Sequence, residues 1–123
     1  MRKIGFISGP ISNAEAIIVA ENIHRFEVVE NLLLKSGYAT INPAADWGTC
    51  KLGGITYEML MEKDRALIKV SDFMFALPGS HDSNGAYQEG VWAMEFGVPI
   101  FKSLDEVHQF FEDDWIAELV PNA

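Results

Sequence analysis

Apolar residues along this chain follow two alternating patterns. Short unbroken runs at Lys3–Ser8 (Lys-Ile-Gly-Phe-Ile-Ser), Tyr38–Asn42, Phe73–Leu77 and Val98–Phe101 have the length of strands. Turn formers close the first three: Gly9-Pro10, Pro43 and Pro78-Gly79. Between the runs the period changes. Val19, Ile23, Phe26, Val29 and Leu33 recur at spacings of three and four, which predicts a helix from about Ala14 to Lys35. Asn13 is placed to cap it and Ser36-Gly37 to stop it. A second helix is predicted from Tyr57 to Val70 and a third from Gly85 to Phe96, ended by Gly97. A last helix begins near Leu104, with a break expected near Asp113-Asp114. Ala44–Thr56, with Gly48, Gly53, Gly54 and no period, reads as a loop, as does the polar stretch Ser80–Asn84.

Strands that are apolar throughout, each followed by a helix, imply a parallel sheet covered on both faces. With right-handed crossovers this is a small doubly wound α/β sandwich, flavodoxin-like or Rossmann-like, of four to five strands in a single domain over residues 1–123. In such folds ligands bind beyond the carboxyl ends of the strands, where strand order reverses. That rule selects three loops: Ser8–Asn13, Asn42–Thr56 and Pro78–Gly85.

Composition narrows the partner. Nine Lys and Arg against eighteen Asp and Glu leave a net charge of −9 over 123 residues. This argues against a protein that grips polymeric DNA or RNA by its phosphates. No apolar run approaches the ~20 residues that span a bilayer, and the apolar start ends too early at Gly9-Pro10 for a secretory signal. A single cysteine, Cys50, excludes an internal disulfide and a zinc site built on cysteines. The expectation is a cytoplasmic protein acting on something small, with no metal or other cofactor.

Two carboxylates occupy unusual places. Asp64 falls in the middle of the apolar stripe of the second helix, where a desolvated charge is costly unless paired or in a cleft. Its alternative reading is a position at the stripe's edge, paired with Arg65, Lys63 or a neighbouring chain. Glu89 borders a side of the third helix made of Gly85, Ala86, Gly90, Ala93 and Gly97, about one turn from the helix start. Three glycines in and around one helix, each costing about 1 kcal/mol relative to alanine, suggest a steric demand. The alternative for Glu89 is a solvated residue beside a tight packing face. The junction Ser83-Asn84-Gly85-Ala86 can offer N–H groups and a hydroxyl to an anion.

The motifs Ile7-Ser8-Gly9-Pro10, Ile41-Asn42-Pro43, Asp64, Ser71-Asp72 and Ser83-x-Gly85-Ala86-x-x-Glu89-Gly90 together resemble the nucleoside 2-deoxyribosyltransferase-like superfamily. The likeness extends from about Lys3 to Phe101 and is greatest to its small, often phage- or prophage-encoded branch, which would place the protein in a host cytoplasm. Members with defined chemistry are nucleoside deoxyribosyltransferases and nucleotide 5′-monophosphate N-glycosidases. The resemblance implies cleavage of the N-glycosidic bond of a (deoxy)nucleoside or its 5′-monophosphate, with Glu89 as nucleophile and Asp64 acting around the sugar and the leaving base. Base exchange by a deoxyribosyltransferase is one alternative; a non-catalytic nucleotide sensor or phage decoy is another. A more distant option, the lysine-decarboxylase-like phosphoribohydrolases, has a longer Pro-Gly-Gly-x-Gly-Thr pattern where this chain reads Pro78-Gly79-Ser80-His81.

On the same resemblance, Ser83 and Gly85 match phosphate-holding positions, with Ser8 and Gly9 nearby. The first loop lacks the arginine of the monophosphate hydrolases, so any phosphate would rest mostly on N–H groups and hydroxyls. Asn42, at the end of the second strand, and His81, in the third loop, join the candidate substrate-binding residues. Trp47 and Tyr57 are candidates to stack on the base, or else core or interface residues. His24 and His108 lack a partner spacing for metal binding, Cys50 reads as incidental, and Glu112-Asp113-Asp114 as a solvated helix end. Family members complete their sites from a neighbouring subunit, which implies a homodimer or a higher homo-oligomer.

Overall fold

The computed structural model describes residues 2–114, except for the side chains of residues 47–51. Four strands, β1 (Ile4–Ser8), β2 (Ala39–Ile41), β3 (Phe73–Ala76) and β4 (Ile100–Phe101), form one sheet in the order β2-β1-β3-β4. All three pairings are parallel. The helices are α1 (Ala16–Lys35), α2 (Tyr57–Lys69), α3 (Asn84–Glu95) and α4 (Leu104–Phe110). The expected doubly wound α/β architecture is therefore the observed one, with four strands among the described residues.

Alternation along the central strands builds a separate core on each face. Ile7 of β1 and Phe73 and Phe75 of β3 join Phe26 and Leu33 of α1, Tyr38, and Val107 and Phe111 around α4. Phe6 and Met74, one residue out of phase, face the other way and pack with Ile68 of α2, Ala93 of α3 and Val98. Period-two strands covered on both sides explain why the runs look continuously apolar in the sequence.

The chain leaves β1 for β2 on one side and reaches β3 on the other. Strand order thus reverses between β1 and β3, and the loops after these two strands open a crevice there. The two are locked together: Leu77 N donates to Ser8 O at 2.8 Å. A Cβ on Gly9 would stand 2.8 Å from that of Leu77, so only glycine lets the two loops come this close. At the opposite end, Ile4 N donates to Asp72 Oδ2 at 2.7 Å.

Local departures from expectation have clear causes. Asn13 does not cap α1. Its Oδ1 accepts from Glu15 N at 2.9 Å in a turn, and Glu15 is the cap residue, with no side-chain bond. Ala44–Thr56 is not simply a loop: Pro43–Leu52 winds into 3-10 helix, started by Asn42 Oδ1 accepting from Ala44 N. Ser80–Asp82 forms a further short 3-10 turn. The break in the last helix comes at Phe111, whose side chain is buried in the aromatic core, instead of at Asp113-Asp114. The glycines of α3 make no continuous packing face either. A Cβ at Gly90 would meet open space, and Gly97 serves a left-handed turn at φ 70°. Close approach is demanded only at Gly85, where a Cβ would lie 3.0 Å from the Tyr57 hydroxyl.

Candidate functional site

A cleft of about 700 Å³ lies over the β1–β3 reversal. Its walls come from the three expected loops (Gly9–Asn13; Pro43 and Asp46; Pro78, Gly79 and 82–85) and from α1, α2 and α3. Asp64 and Glu89 both line it, although they are only 7% and 5% exposed. α2 and α3 pack side by side, so the two carboxyl groups are brought together from separate helices.

Within the chain, Asp64 is not paired with Lys63 or Arg65, and Glu89 is not solvated. Lys63 is bound to Asp46, with Nζ 2.8 and 2.9 Å from its two carboxylate oxygens, and Arg65 lies over the Phe96 ring at 5.4 Å. Both cations are thus engaged elsewhere, and the Asp64 Oδ1 is buried with no hydrogen-bond partner among the described residues. Glu89 is not solvated. It is buried, and its Oε1 accepts a hydrogen bond from the Ser8 hydroxyl at 2.8 Å.

Burial penalises the charged form of both groups. Glu89 is pushed well above its ordinary range, first by burial and then by Asp64, which accepts the Glu89 proton and repels its charge; the Ser8 hydroxyl works the other way. Asp64 is raised too, first by burial and further by the charge of Asp46, while the Glu89 hydrogen bond and Lys63 lower it. The arrangement is a pair of unlike carboxyls that favours holding one proton between them, resting on Glu89. Such a pair can supply one nucleophile or base and one acid in the same site.

The remaining expected site residues divide into two groups. Gly9, Tyr57, Ser83 and Gly85 line the cleft. Ser83 caps α3, its Oγ accepting from Ala86 N at 3.4 Å, which leaves its hydroxyl proton available to a ligand. Ser8 is 1% exposed and lies outside the lining, so it acts on the site through Glu89. Asn42 is also outside the cleft: it starts the 3-10 helix and reaches toward Glu30. His81 sits beyond the cleft wall, its side chain 81% exposed and 3.4 Å from Asp82. Trp47 and Cys50 fall among the side chains that are not described.

Polar cleft residues that escaped the sequence reading include Asn22, Arg25 and Asp46. Asn22 of α1 is 6% exposed and donates from Nδ2 to Ile11 O at 3.2 Å, tying the first loop to the helix. Its signal was present: a polar residue within the apolar stripe between Val19 and Phe26. Arg25, an exposed residue one turn further on the same wall, and the half-buried Asp46 carried no such signal, because only the tertiary fold sets them beside the cleft.

Among the described residues, no group of three or more His, Cys, Asp or Glu is arranged to hold a metal ion. Nor is any helix among them long and apolar enough to cross a membrane. His108 instead meets the Tyr38 hydroxyl at 2.9 Å.

Fold and site together define a doubly wound α/β domain with a buried carboxyl pair in its switch-point cleft. The chain belongs to the DUF4406 family, described as a domain of unknown function, whose model matches residues 3–102. That span contains the whole sheet and every cleft residue named above. No curated protein matches the chain.

Proposed function

We propose that this protein cleaves the N-glycosidic bond of a (deoxy)nucleoside or its 5′-monophosphate through a covalent glycosyl-Glu89 intermediate. The observation that carries the reading is the Asp64–Glu89 pair, buried at the cleft and held from behind by the Ser8 hydroxyl. Its resemblance to the nucleoside 2-deoxyribosyltransferase-like superfamily gives the pair a reaction.

In this reading the single proton of the pair moves from Glu89 to Asp64 when substrate displaces water, and the Ser8 hydroxyl favours the resulting Glu89 carboxylate. A Glu89 oxygen then attacks C1′ of the sugar. The C1′–N bond breaks, and its electron pair leaves with the base, which takes the proton from Asp64. The sugar carries positive charge in the transition state, which the two carboxyls stabilise. Water next attacks C1′, Asp64 accepts its proton, and the C1′–O bond to Glu89 breaks, restoring the pair. Base transfer differs only in the second acceptor, a nitrogen base in place of water.

The test is chromatographic detection of free base after incubation with the common nucleosides and their 5′-monophosphates. The reading requires base release by the wild-type protein and its loss in Glu89→Gln. Release that persists in this variant removes Glu89 from its role; no release from any substrate removes the reaction.

A further inference from the structure

We infer that the outward face of α3 is an interface on which a second copy of this chain docks, helix against helix, with Gly90 at the crossing point. The inference rests on α3 and its surface alone, and it stands or falls independently of the glycosidic reading.

α3 has two sides of opposite character. Ala86, Glu89 and Ala93 are buried on the inner side, at spacings of three and four. Tyr87, Gly90, Val91 and Met94 repeat those spacings on the outer side. Tyr87 is 62% exposed and Met94 75%, so two large apolar side chains stand in water with a glycine between them. Nothing within the chain explains that glycine. Gly90 is not among the positive-φ glycines, and a Cβ there would meet no atom within 4 Å. Glycine is the poorest helix former after proline, so alanine would serve a lone chain better at this point. A second helix backbone that comes close from outside accounts for the glycine, because the side chains at a helix crossing set how near the axes approach.

The charge of the chain identifies the occupant. With eighteen acids against nine Lys and Arg, two copies repel each other wherever their charged surfaces meet. α1, α2 and α4 each carry exposed acids, among them Glu21, Glu62 and Asp105. α3 has no Lys or Arg, and its two acids are the buried Glu89 and Glu95 in its last position. A charged partner would find little on this face to pair with, whereas a copy of the same chain meets it without repulsion. The face is also complementary to itself. A two-fold axis beside Gly90 sets one glycine notch against the other, and each Tyr87 and Met94 then packs beside the facing helix.

Sedimentation velocity over a series of protein concentrations tests this on the wild type, Gly90→Ala, Gly90→Glu and Leu32→Glu, the last at an exposed leucine of α1. The wild type is expected to form a dimer that dissociates on dilution. Gly90→Ala should weaken that dimer by about 10- to 100-fold, as overfilling a close-packed contact does. At concentrations where both are monomeric, its melting temperature should be no lower than that of the wild type. Gly90→Glu should be monomeric, and Leu32→Glu should dimerise as the wild type does. Both Gly90 side chains enter open space on the lone chain, so the fold is retained, which far-ultraviolet circular dichroism checks. A wild type that is monomeric at every concentration overturns the inference. So does a dimer that neither Gly90 substitution weakens, or one that Leu32→Glu abolishes.

Discussion

The two faces of the sheet are built for different work. On the α1/α4 face, aromatic rings fill the space: Phe73 makes an edge contact with Tyr38 at 5.4 Å and lies 5.8 Å from Phe111 and 6.2 Å from Phe101. On the α2/α3 face the described core is thinner, formed around Phe6, Ile68, Met74, Ala93 and Val98. Here two carboxyls take positions that apolar side chains could occupy. One face supplies stability, and the other gives up part of its own to hold charged groups out of water. Such a division is expected where function requires an environment that packing alone would not select.

Predictions that break this contrast can be ordered by size. Glu89→Gln should lower base release by at least about 10³-fold, as expected for removal of a nucleophile. The same variant should melt above the wild type at pH 8, because a neutral amide replaces a group that burial forces to stay protonated. On the opposite face Phe73→Ala should cost about 3–5 kcal/mol, measured by denaturant unfolding, and Met74→Ala on the thinner face about 2–3 kcal/mol. Equal costs would show that the second core is as tightly filled as the first.

A third prediction concerns pH. Native Glu89 keeps its proton where the unfolded chain, with an ordinary value near 4.5, has lost it. The native state then binds more protons than the unfolded one, so stability falls as pH rises through that window. Asp64 acts in the same direction. Melting temperature followed upward from about pH 4.5 should show this slope in the wild type and a shallower one in Glu89→Gln. Identical slopes would mean that Glu89 is not the group responsible.

Smaller effects sharpen the picture. Ser8→Ala removes the hydroxyl that favours ionised Glu89, so the acidic limb of the pH–rate profile should move to higher pH. Activity near neutrality should fall about 10-fold. A uniform loss with an unmoved profile would give Ser8 a purely structural part. Lys63→Ala, at the exposed Lys63–Asp46 pair, should cost no more than about 1 kcal/mol of stability.

Much of the molecule was legible from the order of its residues. Unbroken apolar runs and the helices between them gave a parallel, doubly wound sheet, and that topology gave the three loops of the cleft. Asp64 was visible as a charge inside an apolar stripe. The errors fall where competing local interactions decide. Asn13 and Asn42 can each cap or turn, and the loop after β2 contributes to the cleft while Asn42 itself turns away to start the 3-10 helix. His81 shares the polar loop of the cleft residue Ser83, but a single 3-10 turn faces it outward.

By itself the sequence determined the fold class, the position of the crevice and the two acids that mark it, because periodicity and polarity are local properties of the chain. Only the tertiary structure decided what those acids experience. It drew Lys63 to Asp46 and Arg65 over Phe96, and it set Ser8 behind Glu89. Burial and the identity of a charged neighbour depend on residues far apart in the chain, such as Ser8 and Glu89, that only the packed sheet and helices bring within hydrogen-bonding distance.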